Sequence, residues 1–440
     1  MHRASLGISL LALGVGLAGC GEDEATTPGT GTGSGTGVGS GTGTATGTGS
    51  CVPETDAELC ARTGASCGEV TEVDSCGATR TAACGTCDAP YTCGGGGEPG
   101  RCGQDGCTPE TDQDLCTALG KDCDEVTATD LCGVSRDLDC GTCSSDELCG
   151  GTGVANVCGD PSTDIAWCPP TTAVPFGWSY LDNGIVRIGV NVDHGAAIGH
   201  FSLAGINVLD SNDTGRYLQQ SYYGDQLGGT WHGEPWPFNP VQGGSSNEVP
   251  SDVTEFCNDG VTLYAKTIPE DWGNTGVTPC VMEEWIALLG SIAMVRFRFT
   301  YNGTWDNAPA HQEVPALFVR RDLDLLTYYE GSAPWTGGAL TQITPNRLET
   351  QGNQYITFDE PWLAYVNDDD LGVGLYKRGE DEATCYLYHE VTDSDATSYY
   401  AFLDTFALTQ GLVHDYTLYA KLGDVADLRA AFQQLYDMGL

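Results

Sequence analysis

The sequence predicts an all-β chain: a large antiparallel β-sandwich ending in one helix, preceded by two small disulfide-rich modules. Three features carry this expectation. Beyond Pro169, β-branched and aromatic runs alternate apolar and polar residues with period two, and Gly, Pro, Asn and Asp separate the runs, as for half-buried strands. No strand–helix alternation accompanies them, which argues against a parallel α/β sheet. Ahead of them, sixteen of the 21 cysteines fall into two blocks with identical internal spacing.

In chain order, residues 1–19 read as a secretory signal. Arg3 supplies the basic region, and Leu6 to Leu17 an apolar stretch too short to span a bilayer. It ends in Leu17-Ala18-Gly19-Cys20, which matches the bacterial lipobox, so lipidation is expected at Cys20. Acyl chains there would anchor the protein to a membrane surface, each buried methylene contributing about 0.8 kcal/mol. The expected location is a bacterial outer membrane or cell surface. Residues 20–50 are a Gly/Thr/Ser-rich tether with too little apolar surface to fold. Its root-mean-square reach is roughly 30 Å.

The two modules span residues 51–103 and 107–159. Cysteines 51, 60, 67, 76, 84, 87, 93 and 102 recur at 107, 116, 123, 132, 140, 143, 149 and 158, a duplication. Pro53-Glu54-Thr55-Asp56 and Cys84-Gly85-Thr86-Cys87 recur too. Few large apolar side chains lie inside either block, so covalent links must offset the chain entropy. Four bridges per module, each contributing about 2–4 kcal/mol, would suffice. Eight cysteines allow 105 pairings, and spacing alone does not choose among them. The modules resemble cysteine-rich repeats of Gram-negative surface proteins, where such units act as spacers or adhesion modules.

The sandwich is expected over residues 170–440, with strands near Ile185–Asn191, His200–Leu203, Val261–Thr267, Val281–Leu288, Ser291–Tyr301, Ala316–Arg320, Gln354–Phe358, Trp362–Val366, Gly372–Tyr376, Thr384–Val391, Ser398–Leu408 and Asp415–Leu422. Leu289-Gly290 reads as a hairpin turn. Asp424 can cap a final helix that aligns Val425, Leu428, Phe432, Leu435 and Tyr436 on one face. Four cysteines remain. Cys257 and Cys280 flank a strand pair and are expected to bridge, which leaves Cys168 to reach Cys385.

Asp182-Asn183-Gly184-Ile185-Val186-Arg187-Ile188, followed by Gly195 to Leu209, resembles the opening of galactose-mutarotase-like supersandwich domains. That resemblance implies a supersandwich, a fold that hosts epimerases, polysaccharide lyases, hydrolase domains and non-catalytic sugar-recognition domains. It does not select a reaction.

The functional reading centres on Arg216 to Gly244, which carries Tyr217, Tyr222, Tyr223, Trp231, Trp236 and Phe238 among amides, glycines and prolines. Neither helical nor strand periodicity persists through it. Aromatic faces flanked by amide and carboxylate groups suit sugars. The expected binding residues are Arg216, Gln219, Gln220, Tyr222, Tyr223, His232, Trp236, Asn239 and Gln242. The bland alternative is that the rings fill core and the polar groups order the loop. For catalysis, His311 and Glu313 would share one strand face and could divide acid and base work. A polysaccharide lyase or glycoside hydrolase would use them; a non-catalytic adhesion or structural protein would not. Hydrolysis would need two facing carboxyls, and Glu248, Glu255, Asp271, Glu283 and Glu284 are further acids near aromatic residues.

The net charge of −43 disfavours nucleic acid as a partner. No P-loop, dinucleotide fingerprint, Gly-x-Ser-x-Gly elbow or His-Glu-x-x-His occurs, so a nucleotide is not expected. A carbohydrate is the expected partner, with the membrane reached through the lipid anchor. No cofactor or metal is expected, although Asp210 to Gly215 has the oxygen density of a calcium loop without the EF-hand spacing.

Overall fold

The computed structural model describes residues 53–210 and 214–440. The lipobox and tether lie outside them, as does half of the loop weighed for calcium. The described residues divide into two compact units. One holds residues 53–109 with Leu131–Val134, and the other holds the remainder.

In the first unit Thr55 caps the helix Asp56–Arg62 through a reciprocal capping box with Glu58, and the hairpin Glu69–Val73/Thr79–Ala83 follows. Disulfides join Cys60 to Cys84, Cys67 to Cys93 and Cys87 to Cys102. The second module repeats this plan with the helix Asp112–Leu119 and the hairpin Glu125–Thr129/Ser135–Asp139. Its bridges are Cys116–Cys140, Cys123–Cys149 and Cys143–Cys158, and Cys107–Cys132 completes the set. The two Cys-x-x-Cys pairs therefore do not bond internally: each member reaches a different partner.

The sandwich consists of two antiparallel sheets. In the first, the order is Gln354–Thr357, Glu382–Tyr388, Thr397–Ala407, Pro309–Arg320, Leu218–Ser221, Ala197–Leu203, Val186–Asn191 and Trp178–Asp182, with three short strands branching from it. The second runs Asp252–Asn258, Thr262–Ile268, Cys280–Leu289, Ile292–Tyr301, Val413–Asp424, Leu371–Tyr376, Trp362–Val366, Leu325–Tyr328 and Thr341–Ile343. Period-two alternation sends Ile188, Ile198, Leu317, Tyr400 and Phe402 of the first sheet against Met282, Ile286, Val295, Phe297 and Leu418 of the second. The outer face of the second sheet carries a cross-strand ladder of alternating charge: Glu255, Lys266, Glu283, Arg298 and Asp415 lie opposite one another on five successive strands.

Asp424 caps the C-terminal helix Val425–Asp437 by accepting from the Asp427 amide. Leu428, Phe432 and Leu435 bury on Trp362, Tyr376 and Tyr419, and Leu148 of the second module joins the same cluster. Beside it Glu360 is fully buried. Its carboxylate accepts from Arg429 Nε at 2.9 Å and Nη2 at 2.5 Å, from Trp362 Nε1 at 2.9 Å and from the Trp335 amide at 2.6 Å. Each oxygen has two donors, which is what a buried charge requires.

The expected disulfides in this unit are corrected. Cys168 bonds Cys257, whereas Cys280 and Cys385 are buried free thiols. Sheet geometry explains it. Phe256 points into the inter-sheet core with Cys280, so its neighbour Cys257 points to the opposite face. There it meets Cys168, which enters along the strand Thr262–Ile268 through the Thr262 hydroxyl. Burial pushes both free thiols up to about 12.

Arg429→Ala would strand the Glu360 carboxylate without its counter-charge. We expect a loss of about 3–5 kcal/mol, read by urea unfolding, and a helix that releases before the sandwich does.

Candidate functional site

The segment after Arg216 is held by its own polar side chains. Arg216 donates to the carbonyls of Gly244 (3.2 Å) and Ser245 (2.6 Å), and its guanidinium lies 4.0 Å from the centre of the Trp272 ring. Gln219 Oε1 accepts from the Gly243 amide at 2.8 Å. Gln242 donates to the Gly195 carbonyl and to Glu284. Asn239 donates to Ser221 Oγ and the Tyr222 carbonyl. These bonds satisfy backbone groups that an irregular buried segment would otherwise leave unpaired.

Held this way, the segment forms one wall of a cleft of about 210 Å³ over the first sheet. Trp231 and Trp236 pack edge to face at 4.7 Å, with Trp272 5.8 Å from Trp231. Trp231 and Trp236 ride on a separate hairpin, Leu227–Trp231/Glu234–Pro237, where the sequence shows no periodicity because its turn and prolines break the alternation. The opposite wall is a sheet-borne platform: Tyr386 stacks on Tyr399 at 4.3 Å and 20°, and Phe318 lies 4.7 Å from Tyr399. These three come from adjacent strands in register.

Glu313 lies in the cleft and is half-buried. Tyr223 donates its hydroxyl to it at 3.1 Å. Burial pushes this carboxyl up, opposed by the hydroxyls of Tyr399, Tyr223 and Ser221, which favour the anion. The same burial, with Glu313 alongside, raises both tyrosines far above the ordinary phenol value, so they stay protonated donors. Among the described residues lining the cleft, Glu313 is the one carboxyl.

Of the residues expected to bind, Arg216, Gln219, Tyr223, Trp236 and Asn239 line the cleft with Glu313. Three do not. Tyr222 stacks on Phe299 at 3.7 Å inside the core, while Gln220 and Gln242 are buried behind the wall, hydrogen-bonded to the Glu283 carbonyl and to Glu284 respectively. His232 sits on the hairpin turn beyond Trp231, outside the cleft. His311 is also outside: it is exposed, its Nδ1 is 2.8 Å from Thr405 Oγ1, and it flanks Tyr355. Sharing a strand face with Glu313 was not sufficient, because the cleft lies over the Glu313 end of that face. Trp272, Phe318, Tyr386 and Tyr399 were not singled out in the sequence. Sheet register brings the last three together, and Trp272 follows the short strand Glu270–Asp271.

Groups of metal-ligating atoms among the described residues all contain disulfide-bonded cysteine sulfurs, so they do not form a convincing metal centre.

No family model matches the chain, and no curated protein does. Solved structures do. A protein assigned as an aldose 1-epimerase from Escherichia coli K12 is similar at 10% identity with a TM-score of 0.38, over 57% of this chain and 100% of that one. A galactose mutarotase related enzyme from Lactobacillus acidophilus gives 10% and 0.39, over 56% and 97%. The alpha-galactosidase from Lactobacillus brevis gives 10% and 0.35, over 59% and 41%. Likeness at this level decides neither ligand nor reaction.

Behind the wall, Glu284 is fully buried with one hydrogen bond, from Gln242 Nε2 at 3.0 Å. Burial raises its carboxyl from 4.5 to about 8. The folded state thus favours the protonated acid. Its effect is absent below the unfolded value, destabilises progressively as pH rises from 4.5 toward 8, and levels above that. Glu284→Gln removes this dependence. The Tm difference between variant and native protein should move in the variant's favour from pH 5 to pH 8; a difference constant across that range would contradict it.

Proposed function

We propose that the aromatic cleft binds an extracellular carbohydrate, and that the chain displays this sandwich at a bacterial surface. The observation that carries the binding reading is the pair of facing aromatic walls with hydrogen-bonding groups between them: Trp231, Trp236 and Trp272 on one side, Tyr386 and Tyr399 on the other, Glu313 and Asn239 at the base. A pyranose offers flat C–H faces to rings and hydroxyls at its rim to carboxyl, phenol and amide groups, so both parts of the site have a partner. Stacking on rings already fixed by packing costs little side-chain entropy on binding.

Recognition without cleavage is the better-supported form. Hydrolysis by paired carboxyls needs two of them roughly 5–9.5 Å apart across the bond, and Glu313 is the one carboxyl among the described residues that line the cleft. His311, the expected partner of Glu313, faces solvent outside it. Glu313 acts in this reading as a hydrogen-bonding group oriented by Tyr223.

Display rests on the sequence. The signal-like start, the lipobox at Cys20 and the Gly/Thr/Ser tether are the arrangement by which a folded domain is held on acyl chains rather than a helix. Among the described residues no helix is long and apolar enough to cross a membrane.

Two measurements test these readings. On a glycan array, Trp236→Ala should weaken retention of any bound sugar roughly tenfold or more, as for loss of an aromatic anchor. Unchanged retention would move the site elsewhere. Cys20→Ser expressed in a bacterial host should leave the protein in the soluble fraction and unlabelled by radioactive palmitate. Continued membrane association would refute anchoring through that cysteine.

A further inference from the structure

We infer that the ligand is an oligosaccharide rather than a single sugar, with its next residue seated in a second depression on the far side of Trp231. This rests on the carbohydrate reading of the cleft. The first depression, about 210 Å³, is small beside the 300–1,000 Å³ usual for small-molecule pockets. A second depression of about 340 Å³ is lined by Thr230, Trp231, His232, Ser246, Asn247 and Asn274. Trp231 lines both, so one indole is the ridge between two seats.

The chemistry of the two seats differs as a chain crossing that ridge would require. The first is mostly ring faces, and the second is lined by hydroxyl, amide and imidazole groups. Its framework is secured internally: Asn274 donates to Ser246 Oγ at 2.7 Å and accepts from the Asn247 amide at 3.2 Å, and the Thr230 amide donates to the Gly273 carbonyl at 2.9 Å. His232 stands apart from that framework. It occupies the hairpin turn with Gly233 at φ of 50° and 83°, a two-residue turn in which glycine or asparagine is the ordinary choice. Its ring lies 4.7 Å from Trp231 and has no hydrogen-bond partner among the described residues. The exposed Asn247 side chain has none among them either. An imidazole at a position that favours glycine, unbonded beside the ridge, is placed to meet the hydroxyls of a residue that has passed over Trp231.

The test compares the monosaccharides glucose, galactose, mannose and N-acetylglucosamine with the tetrasaccharides built from each, by titration calorimetry on the full chain. The expected result is a tetrasaccharide that binds at least roughly tenfold more tightly than its own monosaccharide. The double variant His232→Gly/Asn247→Ala should lose that gain. Glycine suits the turn, and an unchanged Tm confirms folding. Equal affinity for monosaccharide and tetrasaccharide, or a gain that survives in the double variant, overturns the second seat and leaves the first intact. No binding of any sugar by the native chain overturns the carbohydrate reading together with this inference.

Discussion

Everything at the cleft depends on how the irregular segment between Arg216 and Gly244 satisfies its backbone. A stretch with this much glycine and proline cannot rely on ladder hydrogen bonds throughout, and buried amides without partners cost about 1–3 kcal/mol each. Arg216, Gln219, Asn239 and Gln242 supply the missing partners. The polar side chains that look from the sequence like ligand grips are thus spent largely on the protein itself, and the aromatic rings become the surface offered outward. Within one segment, polar side chains serve the fold while rings line the cleft.

The same division explains why one wall is a loop and the other a sheet. Tyr386, Tyr399 and Phe318 are fixed by strand register, so their spacing follows from the pleat. Trp231 and Trp236 stand on a hairpin that pairs with neither main sheet, and their wall is held through Arg216 under Trp272 and Asn274 beside Ser246. The strand register fixes one wall, and the hairpin positions the other.

Most long strands were legible where one face is partly wet: Cys280–Leu289 and Ile292–Tyr301 alternate in the halves away from Leu289-Gly290, whereas Ile286–Leu289 and Ile292–Val295 beside the turn are buried throughout. The final helix was legible from Asp424 and its apolar stripe. Leu218–Ser221 was not, since all four residues are buried and two covered faces leave no alternation to read. Edge strands such as Asp252–Asn258 were missed for a related reason: its polar residues fall on both faces. The bridges failed on a different point. Proximity along a hairpin says nothing about which face a cysteine occupies, and Cys257 and Cys280 occupy opposite ones. Of the residues lining the cleft, the sequence pointed to Trp231, Trp236 and Glu313 but not to Trp272 or the tyrosine platform, whose members are 13 to 81 positions apart and meet only through register.

The Cys168–Cys257 bridge also determines how the sandwich bears load. Cys168 is the point where the chain leaves the second module, and Cys257 sits on the edge strand Asp252–Asn258. A pull from the N-terminal side therefore enters the domain through a covalent bond to that strand and not through the strand Trp178–Asp182, which comes next in the chain. Between residues 168 and 257 lies the hairpin that carries Trp231 and Trp236. The cross-link shunts tension around that loop of chain, so a pull from the N-terminal side would leave the hairpin slack and its two indoles undisturbed.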